Sequence, residues 1–274
     1  MEADGKLRDI LTAAVPFVLS RRKETGGFAA TPTLPATIED TFHALNILDL
    51  ARQYGAEEEK GFDPSADENL RSYLDGCRRS LPVGARITFQ LLWCCRIAGL
   101  TLAAEAVESV VIDRMRTADS LDDWYYCARI LSELLAQKLP IFSGERNLAA
   151  VLDRDWLGVD EAWMHMYLCR MSRNTLPPAP KLISWFRATQ NGDGGFGFFP
   201  GTTSFIENCH YCLRALNALE AEPANPETAR RFITACQTAS GGFGRGLRAA
   251  PFLDATWHAV AALVLLECGR KIHR

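Results

Sequence analysis

The sequence lacks the features that mark several large classes of protein. None of its 274 residues fall in an uninterrupted apolar run of roughly 18 residues, so the sequence predicts no transmembrane helix. Residues 1–6 lack the basic start and apolar continuation of a secretory signal, and we therefore expect none. An excess of one charge is also missing, because 30 Lys and Arg stand against 33 Asp and Glu. This balance argues against a nucleic-acid partner.

The cysteines do not form the pattern of a disulfide framework. There are nine of them, an odd number, and most stand singly inside apolar runs, as Cys127, Cys169 and Cys236 do. Such positions are typical of buried free thiols in a reducing compartment. The sequence therefore predicts a soluble, cytoplasmic globular protein, and peripheral contact with a membrane surface stays open.

An internal repeat is the strongest signal that the sequence contains. Gly-Gly-Phe occurs at residues 26–28, 194–196 and 241–243, and each copy is followed by an acid and an apolar, helix-like run. Three more stretches share this helix start without the glycines. We take the residue thirteen positions after each phenylalanine, and its counterpart in the other three copies, as the reference position. The six reference positions are Thr41, Thr88, Trp124, Ala162, Cys209 and Thr256.

Helical signals extend along the whole chain. Apolar residues after each acid recur at helical spacing, and no alternating run is long enough for a strand. A second helix precedes each copy, as at Asn225-Pro226, where Asn is a helix cap and Pro suits the first helical position. The sequence predicts six helical hairpins in one domain, residues 1–274. The last helix, from Thr256, is apolar on nearly all sides, so we expect the first and last hairpins to pack together.

Two copies resemble the Gln–Trp motif of the prenyltransferase and squalene-cyclase repeat family. They read Phe186-x3-Gln190-x3-Gly194-Gly195-Phe196 and Gln237-x3-Gly241-Gly242-Phe243, with Phe in place of Trp. The first copy departs from the motif, because Arg22 stands in place of Gln. The resemblance implies an all-α fold, an (α/α)6 toroid of six hairpins around a central apolar cavity. Relatives with this fold include class II terpene cyclases, protein prenyltransferase β subunits and single-domain bacterial proteins.

The segment Thr37-Ile38-Glu39-Asp40-Thr41 resembles the Asp-x-Asp-Asp-Thr motif of class II cyclases. The resemblance implies Glu39 as the catalytic proton donor, with Asp40 beside it to raise its pKa. Thr37 replaces the first Asp of the motif. The alternative is structural, because an acid recurs at the helix start in five of the six copies. Acids at helix N-termini stabilise the helix dipole.

The segment Glu207-Asn208-Cys209 resembles the Asp-x-Cys part of the zinc site in protein prenyltransferases. Ala255 stands where the family has its histidine ligand, and residues 201–204 replace the basic residues that hold diphosphate. Two ligands do not make a catalytic zinc site, so we expect no metal and no cofactor.

A ring side chain follows every reference position. In the family this position faces the cavity, where π-faces stabilise positive charge, as carbocation chemistry requires. Large rings also fill the centre of a toroid by packing alone. On the first interpretation the substrate-binding residues are Phe42, Phe89, Tyr125, Trp163, His210 and Trp257. For the histidines at positions 43, 165 and 258 we expect core or cavity-wall positions.

These patterns lead to three hypotheses. The first is an isoprenoid-handling enzyme of the class II terpene cyclase type, which protonates a polyprenyl or terpenoid alkene through Glu39. The second is a noncatalytic toroid that binds an isoprenoid, a lipid or a partner protein, because both family motifs are incomplete. The third is a transfer enzyme that resembles the protein prenyltransferases.

Overall fold

The computed structural model describes residues 2–56, 61–79, 81–82, 84–139 and 146–268. These ranges contain twelve α-helices and isolated β-bridges but no strand, which confirms the all-α prediction. The helices are α1 (Glu2–Leu19), α2 (Ile38–Gln53), α3 (Glu68–Arg78), α4 (Ala85–Ile97), α5 (Ala104–Thr117), α6 (Leu121–Arg129), α7 (Arg146–Leu152), α8 (Val159–Ser172), α9 (Ala179–Ala188), α10 (Ile206–Ala218), α11 (Pro226–Ala235) and α12 (Leu253–Cys268).

Side-chain caps fix several of the helix starts. The Thr37 hydroxyl accepts the N–H of Asp40 at the start of α2, and Ser120 accepts that of Asp123 at the start of α6. Asn225 caps α11, and Pro226 takes its first position, as the sequence predicts. Each cap satisfies a backbone donor that has no partner inside the helix. Short polar residues therefore decide where these helices begin.

The chain divides into two compact units. Unit 1 consists of Met1–Glu24, Phe28–Phe62 and Pro177–Arg274, and unit 2 of Thr25–Gly27 and Asp63–Leu176. Unit 1 contains the hairpins α1/α2, α9/α10 and α11/α12, and unit 2 contains α3/α4, α5/α6 and α7/α8. The predicted hairpins are therefore present in the described residues, three to each unit. That residues 1–274 form one domain stays a prediction.

Helix α12 is the centre of unit 1. It packs against α10, α2, α1 and α11, and all residues from Ala259 to Leu265 are buried. Its almost continuous apolar sequence is explained by these neighbours on several sides. The predicted contact between the first and last hairpins is therefore confirmed.

In unit 1 a glycine turn follows α9 and another follows α11, and each turn contacts the first helix of another hairpin. The Gln190 amide donates to the Gly194 and Asn225 carbonyls at 3.1 and 2.9 Å, which ties the turn to the start of α11. Gln237 makes the corresponding bonds to Gly241 and to Ile10 of α1, at 2.9 and 3.3 Å. Helix α1 therefore lies against the last turn as α11 lies against the previous one.

Unit 2 has the same hairpins without a complete glycine turn. Its core is formed by α4, α6 and α8, with α3 and α5 packed outside them. After α6 the chain continues as one π-helical turn, Ile130–Leu134. The interior is apolar and close-packed, and Phe89 and Tyr125 are almost fully buried.

The eight cysteines whose side chains are described are all free thiols, and seven of them are buried. Burial raises the pKa of Cys94 and Cys209 well above the usual value, so these thiols stay protonated. Within the described ranges, no helix combines the length and the apolar character that a membrane span needs.

Candidate functional site

The six reference positions share one structural register. The helices α2, α4, α6, α8, α10 and α12 each begin three residues before a reference position. Their first residues are Ile38, Ala85, Leu121, Val159, Ile206 and Leu253. The matches made without glycines are therefore as good as those anchored by Gly-Gly-Phe. The ring after each reference position lies in the second turn of its helix.

The reference residue itself ties the glycine turn to the helix. The Phe28 N–H donates to the Thr41 hydroxyl at 3.0 Å, and the Phe243 N–H donates to the Thr256 hydroxyl at 2.9 Å. In the remaining glycine copy the Cys209 thiol takes this role and bonds the Phe196 backbone. This repeated bond explains the fixed spacing of thirteen residues between phenylalanine and reference position.

In unit 1, the second turns of α2, α10 and α12 bring six rings together. We call them the unit 1 ring cluster, and its members are Phe42, His43, His210, Tyr211, Trp257 and His258. His210 lies at its centre, edge-on to Trp257 with a centroid distance of 6.0 Å and stacked beside Tyr211 at 5.9 Å. The Nδ1 atoms of His210 and His258 lie 2.8 Å apart, and the His43 ring is 6.2 Å from that of His258.

The unit 1 ring cluster has a buried side and a partly exposed side. Phe42, His43 and His210 are buried, with 5–8% of their surface exposed. Tyr211, Trp257 and His258 are half-buried. Rings on α10 and α12 therefore present part of their surface to a molecule outside the core.

In unit 2, two of the rings at the equivalent helix positions pack against the charged side chain of Arg129. The Arg129 guanidinium carbon lies 4.0 Å from the Phe89 ring centroid and 5.6 Å from that of Tyr125. Arg129 also forms a two-fold ion pair with Glu133, at 2.8 and 2.9 Å. The Trp163 indole donates to the Tyr125 hydroxyl at 3.0 Å. We call Phe89, Tyr125 and Trp163 the unit 2 ring cluster.

The acids in the first turns of α2 and α10 differ in burial. Glu39 is exposed, and Asp40 accepts the Thr37 hydroxyl at 2.7 Å. Glu207 has 18% of its side chain exposed and is paired with Arg245 at 2.8 Å. Its second carboxylate oxygen, Oε2, is buried and has no hydrogen-bond partner among the described residues. Burial raises the pKa of Glu207 despite Arg245, and the Asp254 charge adds to this effect.

Asp160 of unit 2 shows the same behaviour. Its Oδ1 atom is buried without a hydrogen-bond partner in the described part of the chain, and burial raises the pKa of this carboxyl group. Both acids lie in the first turn of their helices, where the helix dipole favours negative charge. Desolvation opposes the dipole at these positions and outweighs it.

A comparison with known protein families assigns the chain to one of them. The profile of the family described as "Prenyltransferase alpha-alpha toroid domain" matches residues 5–82 and 202–274, more than half of the chain. The chain belongs to this family. Membership in the prenyltransferase toroid family relates the chain to isoprenoid chemistry. A comparison with curated proteins found no match.

In this member of the toroid family, the burial of the helix-start acids differs from what the resemblance to the cyclase motif implies. Protonation of an alkene needs a carboxyl group that is kept neutral and away from water. The exposed side chain of Glu39 has no such surroundings, so its role as proton donor stays a prediction that the geometry does not support. Glu207, at the equivalent position of α10, has the buried environment instead.

The residues that resemble the family's zinc site do not fit a zinc ion. Cys209 is fully buried with a raised pKa, and its thiol already bonds the Phe196 backbone. Ala255, at the place of the third ligand, is buried and carries no ligand atom. The described residues include no group of three or more His, Cys, Asp or Glu side chains arranged to hold a metal.

Three members of the unit 1 ring cluster were not predicted as binding residues: His43 and His258 were expected only at core or cavity-wall positions, and Tyr211 was not singled out. The signal was present, because His43 and His258 both stand two residues after a reference position. Sequence alone did not show that α2, α10 and α12 pack side by side in register, which brings both imidazoles near His210. His165, the third of those histidines, lies in unit 2 and bonds the Leu152 carbonyl at 3.0 Å.

Proposed function

We propose that the protein binds the hydrocarbon chain of an isoprenoid or terpenoid small molecule at the unit 1 ring cluster. The observation that carries this proposal is the partly exposed side of the cluster, formed by Tyr211, Trp257 and His258. Aromatic faces bury large apolar areas, and small-molecule sites are lined mainly by such side chains. Membership in the toroid family supports the choice of an isoprenoid as ligand.

The unit 2 ring cluster is a poorer candidate for the same role. Phe89, Tyr125 and Trp163 are at most 3% exposed. The faces of Phe89 and Tyr125 already contact the Arg129 guanidinium. Arg129, which is paired with Glu133, makes the cation–π contact with these rings, so the ring faces are not available to a ligand. The unit 2 rings are therefore packing residues in this proposal.

The experiment compares two tryptophans at equivalent positions. We expect farnesol, measured by isothermal titration calorimetry, to bind the wild-type protein and to bind the Trp257→Leu variant at least about tenfold more weakly, a difference of about 1.4 kcal/mol. Trp163→Leu is the matched control and should keep the wild-type affinity wherever circular dichroism shows that it is folded. Equal affinity of the wild type and the Trp257 variant would refute the site, and absence of farnesol and geranylgeraniol binding to the wild type would refute the ligand class.

A second candidate is a reaction of the class II terpene cyclase type, and the environment of Glu207 favours it. A buried carboxyl group with a raised pKa is the acid that alkene protonation needs. Glu207 precedes His210 of the ring cluster by one helical turn, so the acid and the rings lie on the same helix. In this candidate reaction Glu207, rather than Glu39, donates the proton, and the rings stabilise the cation that forms.

Product analysis tests this second candidate. The protein is incubated with farnesyl diphosphate, geranylgeranyl diphosphate or squalene, and organic extracts are analysed by mass spectrometry. We expect a cyclised product whose formation is lost in Glu207→Gln and retained in Glu39→Gln. Glutamine keeps the size of the side chain but supplies no proton of useful acidity. Loss of product in the Glu39 variant alone would restore Glu39 as the donor, and no product from any substrate would leave binding as the function.

A further inference from the structure

A cleft in unit 1 lies at the end of α12 that is opposite to the ring cluster. Helices α1 and α11 form its walls and α12 forms its floor, and its volume is about 530 Å³. Sites for small molecules commonly enclose about 300–1,000 Å³. Its floor residue Glu267 lies about two and a half helical turns after His258 of the ring cluster. The cleft is therefore separate from the proposed isoprenoid site.

The length of α1 explains why this cleft exists. The two glycine turns place Ile10 of α1 in register with Asn225 of α11. Gln237 donates to the carbonyl of the first, and Gln190 donates to that of the second. Asn225 is the cap at which α11 begins, whereas α1 begins at Glu2, about two turns before Ile10. The α1 residues that line the cleft lie within this extension or at its end, and they are Lys6, Leu7, Asp9 and Ile10.

The deep part of the cleft is apolar. Leu7 of α1 and Leu263 of α12 are almost fully buried, with 2% and 1% of their surface exposed. Ile10 is half-buried, and Ala235 of α11 is exposed at the opposite wall. A hydrocarbon chain that covers these side chains removes apolar surface from water, which is favourable.

The charged side chains around this apolar part are unevenly paired. Nε of Arg230 lies 2.9 Å from Oε1 of Glu267, an ion pair without the alignment of a hydrogen bond, and the Glu267 side chain is only 7% exposed. Arg231 is exposed, and its side chain has no ion pair or hydrogen bond with any described residue. Lys6 adds a cation and Asp9 an acid from the α1 wall. Three cations therefore face two acids, and Arg231 is available to a ligand.

The two arginines are particular to the last hairpin. Helices α9 and α11 are equally long and align without a gap, because Gln190 and Gln237 follow them at the same distance. In α9 the positions of Arg230 and Arg231 are occupied by Ile183 and Ser184. An outer helix of this repeat therefore forms without these cations, so packing of the hairpin does not require them.

We propose that this cleft binds a small amphipathic acid, a molecule with one hydrocarbon chain and a single carboxylate. The chain covers Leu7, Ile10 and Leu263, and the carboxylate pairs with Arg231 at the rim. A guanidinium group matches a carboxylate with two parallel hydrogen bonds. Asp9 repels a doubly charged head such as a phosphate more strongly than a carboxylate. This site does not rest on the proposed function at the ring cluster.

Charge variants test the head of the ligand, with decanoate as the probe in isothermal titration calorimetry. We expect Arg231→Gln to weaken decanoate binding at least about threefold, because the carboxylate loses its cation. Asp9→Asn should strengthen it about twofold, because a nearby negative charge is removed. Decanol, the uncharged analogue, should respond to neither variant. Both residues are exposed, so the variants should keep the wild-type melting temperature. Equal decanoate affinity of the wild type and Arg231→Gln would refute the pairing.

Filling variants test the position of the chain. Ala235→Phe places a ring in the cleft and should weaken decanoate binding at least about tenfold, because the apolar surface is already covered. Ala188→Phe is the matched control, since Ala188 occupies the equivalent position of α9, is also exposed and does not line the cleft. Equal effects of the two substitutions on decanoate binding would refute the cleft as the site.

A comparison of two ligands separates this cleft from the ring cluster and closes the test. We expect Trp257→Leu to keep the wild-type affinity for decanoate and Arg231→Gln to keep that for farnesol. Loss of decanoate binding in Trp257→Leu alone would place the acid at the ring cluster and overturn the proposal. Tighter binding of decyl phosphate than of decanoate would overturn the single carboxylate. Farnesol binding without decanoate binding to the wild type would refute this site and leave the proposed function intact.

Discussion

The two units of the molecule use the same helix register for different ends. Each contains three hairpins and places three rings one residue after the reference positions. In unit 2 the rings close over Arg129, whose charge Glu133 neutralises. In unit 1 each of the three helices carries a histidine of the ring cluster, His43, His210 or His258, and half-buried rings remain. The helix register therefore fixes where a side chain lies, and the identity of a few neighbours decides whether it is fully covered or stays partly exposed.

The turns differ between the units as well. In unit 1 the glycine turns let the backbone of one hairpin touch the next outer helix, and Gln190 and Gln237 hold that contact. Unit 2 has no complete Gly-Gly-Phe copy, and its hairpins are joined by side chains. Arg114, for example, donates to the Pro82 carbonyl at 2.9 Å and to the Thr88 hydroxyl at 3.2 Å. We expect substitutions to affect backbone contacts in unit 1 and ionic contacts in unit 2.

The largest effect is expected from removal of the cation in unit 2. In Arg129→Met the Glu133 carboxylate, 27% exposed, loses its two-fold partner, and Phe89 loses a cation on its face. Breaking a buried ion pair costs about 3–5 kcal/mol, and we expect the free energy of unfolding in urea to fall by about this amount.

An exposed pair in the same unit serves as the control. Arg116 and Asp113 of α5 are 62% and 65% exposed, so Arg116→Met should cost at most about 1 kcal/mol. The double variant Arg129→Met/Glu133→Gln should recover part of the loss, because a neutral amide then replaces the carboxylate that has lost its guanidinium partner. If Arg129→Met cost no more than the control, the unit 2 rings would not depend on this cation.

The next effect tests the glycine turns of unit 1. Gly241 has a φ of +88°, and a Cβ atom there would lie 1.8 Å from the Ala13 carbonyl oxygen of α1. A residue with a side chain costs about 1–2 kcal/mol in this left-handed backbone conformation, and the displacement of α1 adds to that cost. Gly241→Ala should therefore lower the free energy of unfolding by more than about 2 kcal/mol. Gly201→Ala has a similar φ of +82° but no neighbouring atom within 4 Å. Thermal unfolding of both variants separates the two contributions, and equal losses would argue against close contact with α1.

A smaller effect separates the roles of the reference residues. Thr256→Val leaves the buried Phe243 N–H without its acceptor, which should cost about 1–3 kcal/mol. In unit 2, Thr88 bonds Arg114 and local carbonyls rather than a glycine turn, and Arg114 keeps its bond to Pro82. Thr88→Val should therefore cost less than Thr256→Val in urea unfolding. The reverse order would show that the turn bond is not what fixes the spacing.

The repeat predicted much of this fold because its signals are local. A glycine turn, a cap and a helical period each depend on neighbouring residues, so all six inner helix starts were correctly located. Which of the helix-start acids is buried was harder to predict, because Glu39 and Glu207 occupy equivalent positions and differ in the residues that pack over them. The cation of unit 2 and the histidine pair of unit 1 depend on contacts between helices. Arg129 has local partners, Tyr125 and Glu133, four residues away on either side, but its contact with Phe89 of α4 could not be predicted from the sequence.

The smallest effect concerns the buried acid at the start of α10. Burial raises the pKa of Glu207 in the folded protein, so between the unfolded and folded pKa values the folded state binds more protons. The contribution of this carboxyl group to stability is then most favourable at low pH and decreases as the pH rises above about 4.5. Glu207→Gln removes this cost, although it also removes the ion pair with the exposed Arg245.

We therefore expect the melting temperature of Glu207→Gln, relative to wild type, to be higher at pH 7.5 than at pH 4.5. The control is Glu39→Gln, because Glu39 occupies the same position of α2 but is exposed. A surface substitution of this kind changes stability by at most about 0.5 kcal/mol, and its effect should be similar at both pH values. If the two variants responded alike to pH, then packing over α10 would not distinguish Glu207 from the other helix-start acids. The second candidate function would lose its proton donor as well.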